Sequence, residues 1–265
     1  MRHLTLVAAA LAVGFTPVLV SQAQAATPYK VSLSVTRTEI KQGDTVVFSG
    51  KVSPSAKGAR LKVQFFDIDQ GGNRWRTVAT TTVKSGGAYA KTVAPRDGST
   101  RYRVYKPSGS GLSGGASKTV IMRAYAWYKM ANVPDVPLAS GEQYKGQYGP
   151  QTVAGTPVTR YWASSASAGG RTRWLTLHTC KRVHAEVGLD DRSAAGADAQ
   201  FRIHADQTRI ASVRVKKGTM VTVDVAVPRA ETGGLIFTAE ARNSARPTYV
   251  NASKPRAYCA FPEDD

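Results

Sequence analysis

The sequence predicts an all-β chain folded as two β-sandwich domains. Three observations carry this. Short apolar stretches alternate with polar residues at a period of two, and turn residues separate them at about every 8 to 12 positions. No stretch of the chain shows a competing helical periodicity.

The first half divides as follows. Val31, Leu33 and Val35 alternate with polar residues, as do Val46, Phe48 and Val52 with one break, then Leu61, Val63 and Phe65. Further strands are expected over Val78 to Val83, Tyr89 to Val93, Tyr102 to Tyr105 and Thr119 to Met122. Gly43-Asp44, Gly58, Gly71-Gly72, Gly86-Gly87 and Asp97-Gly98 mark the turns between them. About seven short strands at this spacing describe a small antiparallel sandwich.

The phrases VTRTEIKQGDTVVFSGKVSP, GARLKVQFF, RWRTVATTTVKSGGAYAKTV and RYRVYKP follow one another between Tyr29 and Ala124. In that order they resemble the immunoglobulin-like modules of secreted bacterial proteins, without the paired cysteines of antibody domains. The resemblance implies an immunoglobulin-like β-sandwich over residues 28–124. It implies little about function, because one such fold serves as spacer, adhesion unit or binding module.

From Ala124 to Pro150 the composition shifts to aromatics among Pro and Gly, which reads as a strand over Tyr125 to Met130 followed by a looping segment. Later strands are expected at Arg173 to Leu177, Val183 to Leu189, Ala199 to Ala205, Arg209 to Val215, Met220 to Val227, Leu235 to Ala241 and Arg256 to Phe261. That number of strands suits a jelly-roll sandwich over residues 125–265. The run CKRVHAEVGLDDRSAAGADAQFRIHAD, then VTVDVAV, GLIFTAEARNS and a late cysteine in YCAF resembles the NPCBM family of carbohydrate-binding modules. That resemblance implies a galactose-binding-like β-sandwich, frequent company with glycoside hydrolases, and a saccharide partner. Where the family shows a glycine-rich phrase, this chain has only YGPQTVAGTPVTRYWASS.

The remaining elements concern compartment and charge. Arg2 and His3 precede an apolar run from Leu4 to Val20 and the small-x-small pattern around Ala23 and Ala25, so residues 1–25 read as a signal peptide cut after Ala25. The run holds Gly14 and Pro17 and is at the short end for a span of about 20 residues. The mature protein is therefore expected to be secreted, extracellular or cell-surface associated, with no transmembrane segment. In that compartment an isolated cysteine pair, Cys180 and Cys259, reads as a disulfide. The net charge is +18, and the basic excess is uneven: 17 Lys and Arg face 5 Asp and Glu between Pro28 and Ala124. Two readings stand for this excess. It attracts anionic polymers such as cell-wall polymers and acidic polysaccharides, or it keeps an exported domain soluble.

No catalytic set is apparent. Glycoside cleavage needs two carboxylates facing across a cleft. Asp190 and Asp191 are adjacent and read as turn-shaping residues; a calcium ion on Asp190, Asp191 and Asp198 is the lesser alternative. His178, His184 and His204 fall on three strands at outward positions without metal-ligand spacing, so no metal and no cofactor is expected. There is no G-x-S-x-G, and nothing resembles a specific nucleic-acid motif. Sugar binding asks only for an aromatic face and a few fixed polar groups. Tyr161, Trp162 and Tyr249 near expected loops, with Asn243, Arg246 and Asn251, form the candidate set. Packing in the core or at an interface competes for Tyr161 and Trp162, and Trp127 and Trp174 read as packed. The expectation is thus a non-catalytic binding protein for carbohydrate or cell-wall polymer; a module contacting a secreted protein partner, as adhesion unit or inhibitor, is the alternative.

Overall fold

A computed structural model describes residues 26–68, 73–130, 135–136, 151–158, 160–165, 170–175, 180–228 and 234–261. The expected signal peptide and His178 lie outside them. The described chain is all-β, as the alternation predicts. In the first half the strands are β1 (Lys30–Val31), β2 (Ser34–Val35), β3 (Glu39–Lys41), β4 (Val46–Ser53), β5 (Arg60–Asp67), β6 (Arg74–Thr82), β7 (Ala88–Val93), β8 (Gly98–Lys106) and β9 (Gly115–Ala116). Then comes β10 (Val120–Lys129). The second half holds β11 (Asp135–Val136), β12 (Gln151–Val153), β13 (Thr156–Val158), β14 (Arg160–Ser165), β15 (Gly170–Leu175) and β16 (Cys180–Leu189). It ends with β17 (Asp198–Ala205), β18 (Thr208–Lys216), β19 (Met220–Ala226), β20 (Gly234–Ala241) and β21 (Tyr249–Cys259).

Each half closes over its own core. In the first, β4 with β1, β2 and β7 forms one sheet, and β10, β8, β5 and β6 form the other. Phe48, Leu61, Val63, Tyr102, Val104 and Met122 fill the space between them. Phe48 and Tyr102 meet at 5.5 Å between ring centroids, and the Arg96 N–H donates to the buried Tyr102 hydroxyl. In the second half the layer β19-β16-β21 covers the sheet β11-β15-β20-β17-β18. Val183, Ala185, Val187, Phe201, Ile203, Leu235, Phe237 and Val250 are buried between them. Phe201 and Phe237 meet edge to face at 5.4 Å. The alternation that placed Val183, Ala185, Val187, Phe201 and Ile203 inward is reproduced, and His184 and His204 are only partly buried.

Several elements differ from the sequence reading. The strands expected at Thr119 to Met122 and Tyr125 to Met130 are one strand, β10, because no turn residue interrupts the alternation between them. The closing strand begins at Tyr249 rather than Arg256, since Asn251 and Ser253 are buried polar positions, Asn251 beneath a covering hairpin. That hairpin, β12–β13, and β14 lie where no strand was expected.

The long β10 joins the halves. Its first part pairs with β8, with Val120 opposite Tyr102, and its last part pairs with β21, with Trp127 opposite Tyr258. The expected domain boundary at Ala124 thus falls inside a strand, and a single sheet runs from β6 to β19. Side chains reinforce this seam. Tyr125 stacks on Tyr258 at 5.5 Å, Tyr128 meets Phe261 at 4.9 Å, and Lys181 Nζ reaches Glu39 Oε2 at 2.6 Å. The hydrogen bond from Lys181 holds the Glu39 carboxyl below its ordinary pKa. A carboxyl depressed in the folded state stabilises above its unfolded pKa, and that contribution disappears as pH falls through the folded value. The melting temperature of Glu39→Gln is therefore expected to lie below that of the parent at neutral pH and to converge with it in acid. A constant gap across that range, measured by thermal melts, would remove the pair from the seam's energetics.

Candidate functional site

One end of the second sandwich gathers polar groups from four chain segments. These are the β12–β13 hairpin, the 190–197 loop between β16 and β17, the β18–β19 turn and the 242–248 turn before β21. Asp190 organises them. Its backbone N–H donates to the Tyr249 carbonyl at 2.9 Å, which pins the loop to the start of β21. Its carboxylate, only 2% exposed, accepts the Arg192 N–H at 2.9 Å, Nε at 2.8 Å and Nη2 at 3.1 Å. A two-point fork of this kind fixes the guanidinium plane as well as its charge. Arg192 remains largely exposed and lies 5.6 Å from the ring centre of Tyr249, itself 37% exposed.

The neighbouring loop residues hold this pair in place. Buried Ser193 accepts the Tyr249 N–H at 3.0 Å through Oγ, and its carbonyl accepts Lys217 Nζ at 2.6 Å. Asp191 accepts the N–H groups of Ala154 and Gly155, both at 3.0 Å. Those two residues form the hairpin tip at φ 49° and 73°, a left-handed pair that Ala154 adopts at a cost and the carboxylate offsets. The Gly155 bond is the main cause holding Asp191 below its ordinary pKa. Asp198 engages Arg214 and lies 4.0 Å from Arg242, away from Asp190 and Asp191. The three aspartates weighed for calcium are thus each engaged by separate donors, and among the described residues no group of three metal-ligating side chains occurs.

The candidate residues read from the sequence separate in the fold. Tyr249 lies at this exposed end. Asn243 and Arg246 build the adjoining turn: Asn243 Oδ1 accepts the Ala245 N–H at 3.0 Å, and Arg246 Nη1 donates to the Ala195 carbonyl at 3.1 Å. Asn251 is a correction. It is 1% exposed, donates Nδ2 to Gln151 Oε1 under the β12–β13 hairpin, and leaves Oδ1 without a partner. It supports the hairpin from below and offers no surface to a ligand. The backbones of Tyr161 and Trp162 lie on β14, with Trp162 opposite Ala252 and a bulge between Arg160 and Trp162. Their side chains lie outside the described residues, as do those of Trp174 on β15.

Two features escaped the sequence reading. Arg192 was passed over beside the aspartates, although an Arg two residues after a strand-ending Asp can fold back onto it. Trp127 was read as packed but is 41% exposed, with Arg256 at 5.0 Å over its ring and Tyr258 at 5.4 Å. His184 lies beside it, with Nδ1 3.5 Å from Asp224 Oδ2. Chemically, the loop end presents an aromatic face beside a rigid donor fork, and its two carboxylates are committed as acceptors. An exposed ring beside a held guanidinium can stack on and hydrogen-bond a ligand.

Solved structures resemble the chain only distantly. Two of the CBM51-2 and INT domains of Clostridium perfringens ZmpB, the second in complex with GlcNAc, share 10% and 9% identity at TM-scores of 0.37 and 0.36. They cover 63% and 86% of this chain, which spans 38% and 48% of theirs. The CBM22-1-CBM22-2 tandem of Paenibacillus barcinonensis Xyn10C shares 15% identity at a TM-score of 0.25, over 88% of this chain and 93% of that one. No curated protein matches the sequence. Residues 165–253 match the family described as the NPCBM/NEW2 domain, a stretch that runs from the end of β14 into β21 and contains Asp190, Arg192 and Tyr249.

Proposed function

We propose that the protein is a secreted, non-catalytic binding protein that recognises carbohydrate through its C-terminal half, with electrostatic help from its basic N-terminal half. The observation that carries this reading is the NPCBM/NEW2 match over 165–253, on the strands that present Tyr249 beside the Asp190-anchored Arg192. An exposed amphipathic ring stacks on the apolar face of a sugar, and the Nη1 edge of Arg192, which Asp190 does not use, bonds its hydroxyls. The expected signal peptide supports export. Residues 28–124, which resemble immunoglobulin-like modules, hold two facing sheets around one core, and most of the basic excess lies there.

The test is cosedimentation with purified neutral polysaccharides and bacterial wall at low and high salt. Exposed charges lose reach as ionic strength rises, whereas a stacked sugar does not. Retention on neutral glycan at high salt, displaced by free sugar, is the expected result. Tyr249→Ala removes the ring and is expected to weaken that retention about tenfold, equivalent to about 1.4 kcal/mol. Arg192→Lys keeps the charge, loses the fork and is expected to weaken it several-fold. If no glycan is retained at high salt, the reading fails and a secreted protein partner takes its place.

A further inference from the structure

The outward face of the first half carries a second constellation, remote in sequence from the 165–253 match. On β8 the alternation buries Thr100, Tyr102 and Val104 and turns Arg101, Arg103 and Tyr105 outward. Arg103 lies opposite Gln64 on β5, Tyr105 opposite Lys62, and Phe66 opposite Trp75 on β6. The guanidinium of Arg101 sits 4.1 Å from the Phe66 ring centre, and that of Arg103 sits 4.1 Å from Trp75. Arg103 Nε also donates to Gln64 Oε1 at 3.0 Å. Beyond them, Arg60 donates to Thr80 at 3.3 Å, and Arg123 extends the row on β10.

Among the described residues the carboxylate beside this row is Glu39, opposite Arg123 at the β10 end and engaged by Lys181. Of the described carboxylates in this half, Asp44 pairs with Arg37, Asp67 with Arg76 and Arg96, and Glu39 with Lys181; Asp97 accepts from Gln42. Among the described residues, Arg101 and Arg103 are held by rings and an amide. An unmet charge stacked on an aromatic is pre-ordered at little further entropic cost, and its N–H edges stay free for in-plane, two-point acceptors. Partial burial also pushes the Arg103 pKa below its ordinary value, so an arriving anion offsets that desolvation.

We propose that this face binds a linear polysaccharide that carries carboxylates, a polyuronate, with its acid groups on the Arg101 and Arg103 forks. Residues two apart on one strand lie about 7 Å apart, which spaces the forks along one chain rather than at one ion. The surroundings select a sugar over a bare phosphate polymer. Ile121, 45% exposed, lies opposite Arg101, and Val78 is 38% exposed. These offer apolar contact for ring C–H faces, and Thr77 and Thr80 offer partners for hydroxyls. The proposal deepens the electrostatic half of the proposed function and rests on it.

The experiment measures binding of the full chain to polygalacturonate, to its fully methyl-esterified form and to poly(glycerol phosphate), at low and near-physiological salt. Polygalacturonate is expected to bind tightest and the ester at least tenfold more weakly. Arg101→Gln with Arg103→Gln is expected to lose at least tenfold. Lys30→Gln with Lys51→Gln, an equal charge change on the opposite sheet, is expected to lose no more than twofold. Ile121→Glu places an anion beside Arg101 at an exposed position and is expected to lose binding without loss of folding. Equal losses in both double variants, unaltered binding by Ile121→Glu, equal binding of acid and ester, or tighter binding of the phosphate polymer would each overturn the assignment. Neutral-glycan retention at high salt is read on the same samples. If it is absent while polyuronate binding persists and tracks Arg101 and Arg103, the C-terminal reading fails and this one stands. If it persists while polyuronate binding is absent, the reverse holds.

Discussion

Replacing Cys180 and Cys259 together with alanine is expected to lower the stability of the second half by about 4 kcal/mol, with the melting temperature falling on the order of 10 °C. The two cysteines are 79 residues apart in sequence and directly opposite each other on β16 and β21. The segment they enclose contains β17, β18, β19 and β20, so the bridge closes nearly all of the second core before any sheet forms. In the chain-entropy picture its effect is on the unfolded state, which loses the freedom of that long loop. Both residues also belong to the core, where Cys259 is fully buried, and truncation to alanine removes packed sulfur as well. Denaturant unfolding of the parent with and without reductant separates the contributions. Reduction alone is expected to reproduce most of the loss, and the double variant is expected to become insensitive to reductant. A loss below about 1 kcal/mol would mean that the reduced, unfolded chain is already compact enough to hold the loop ends together.

The strands were legible where alternation was clean and one face was dry. Val183, Ala185 and Val187 around outward His184, and Phe201 and Ile203 beside outward His204, fall where a period of two puts them. The alternation failed at Asn251 and Ser253 for a physical reason. Both faces of β21 are buried there: Val250 and Ala252 face the core, and on the other side Asn251 bonds Gln151 of the β12–β13 hairpin and Ser253 is also buried. A reader of the sequence sees polar residues and ends the strand. The same limit hid the seam. Nothing in YAWYK distinguishes a strand that starts a new domain from one that continues an old sheet, because the partners that decide it, on β8 and β21, are remote in the chain. At the candidate site, Tyr249 was recoverable as an aromatic beside a turn. Arg192 was not, since its value lies in a fork onto a buried carboxylate. Arg101 and Arg103 were recoverable: TRYRVY alternates basic and apolar residues, and its outward row is cationic once a strand is assumed.

The other large effect is expected at the seam. Gly98 has φ +78°, and a Cβ there would stand 2.1 Å from the Phe261 carbonyl oxygen. Two costs add in Gly98→Ala. A left-handed conformation at a non-glycine residue costs about 1 to 2 kcal/mol. The clash is with backbone, which no rotamer relieves, so the chain must move and open the bond from Ser99 N–H to the Phe261 carbonyl, 2.7 Å in the parent. Losing that bond costs about 1 kcal/mol or more, for a total of about 3 kcal/mol. Gly43→Ala separates the two costs. Gly43 has φ +85° with open space around it, so only the conformational cost applies there. The seam also decides the shape of unfolding. Because β10 supplies backbone bonds to both cores, the parent is expected to unfold in one transition. Gly98→Ala separates β8 from Phe261 and is expected to split that transition into two, only the one of the second half being sensitive to reductant through the Cys180–Cys259 bridge. If Gly98→Ala and Gly43→Ala cost the same and both unfold in one step, the contact at Phe261 carries no load and β10 alone couples the halves.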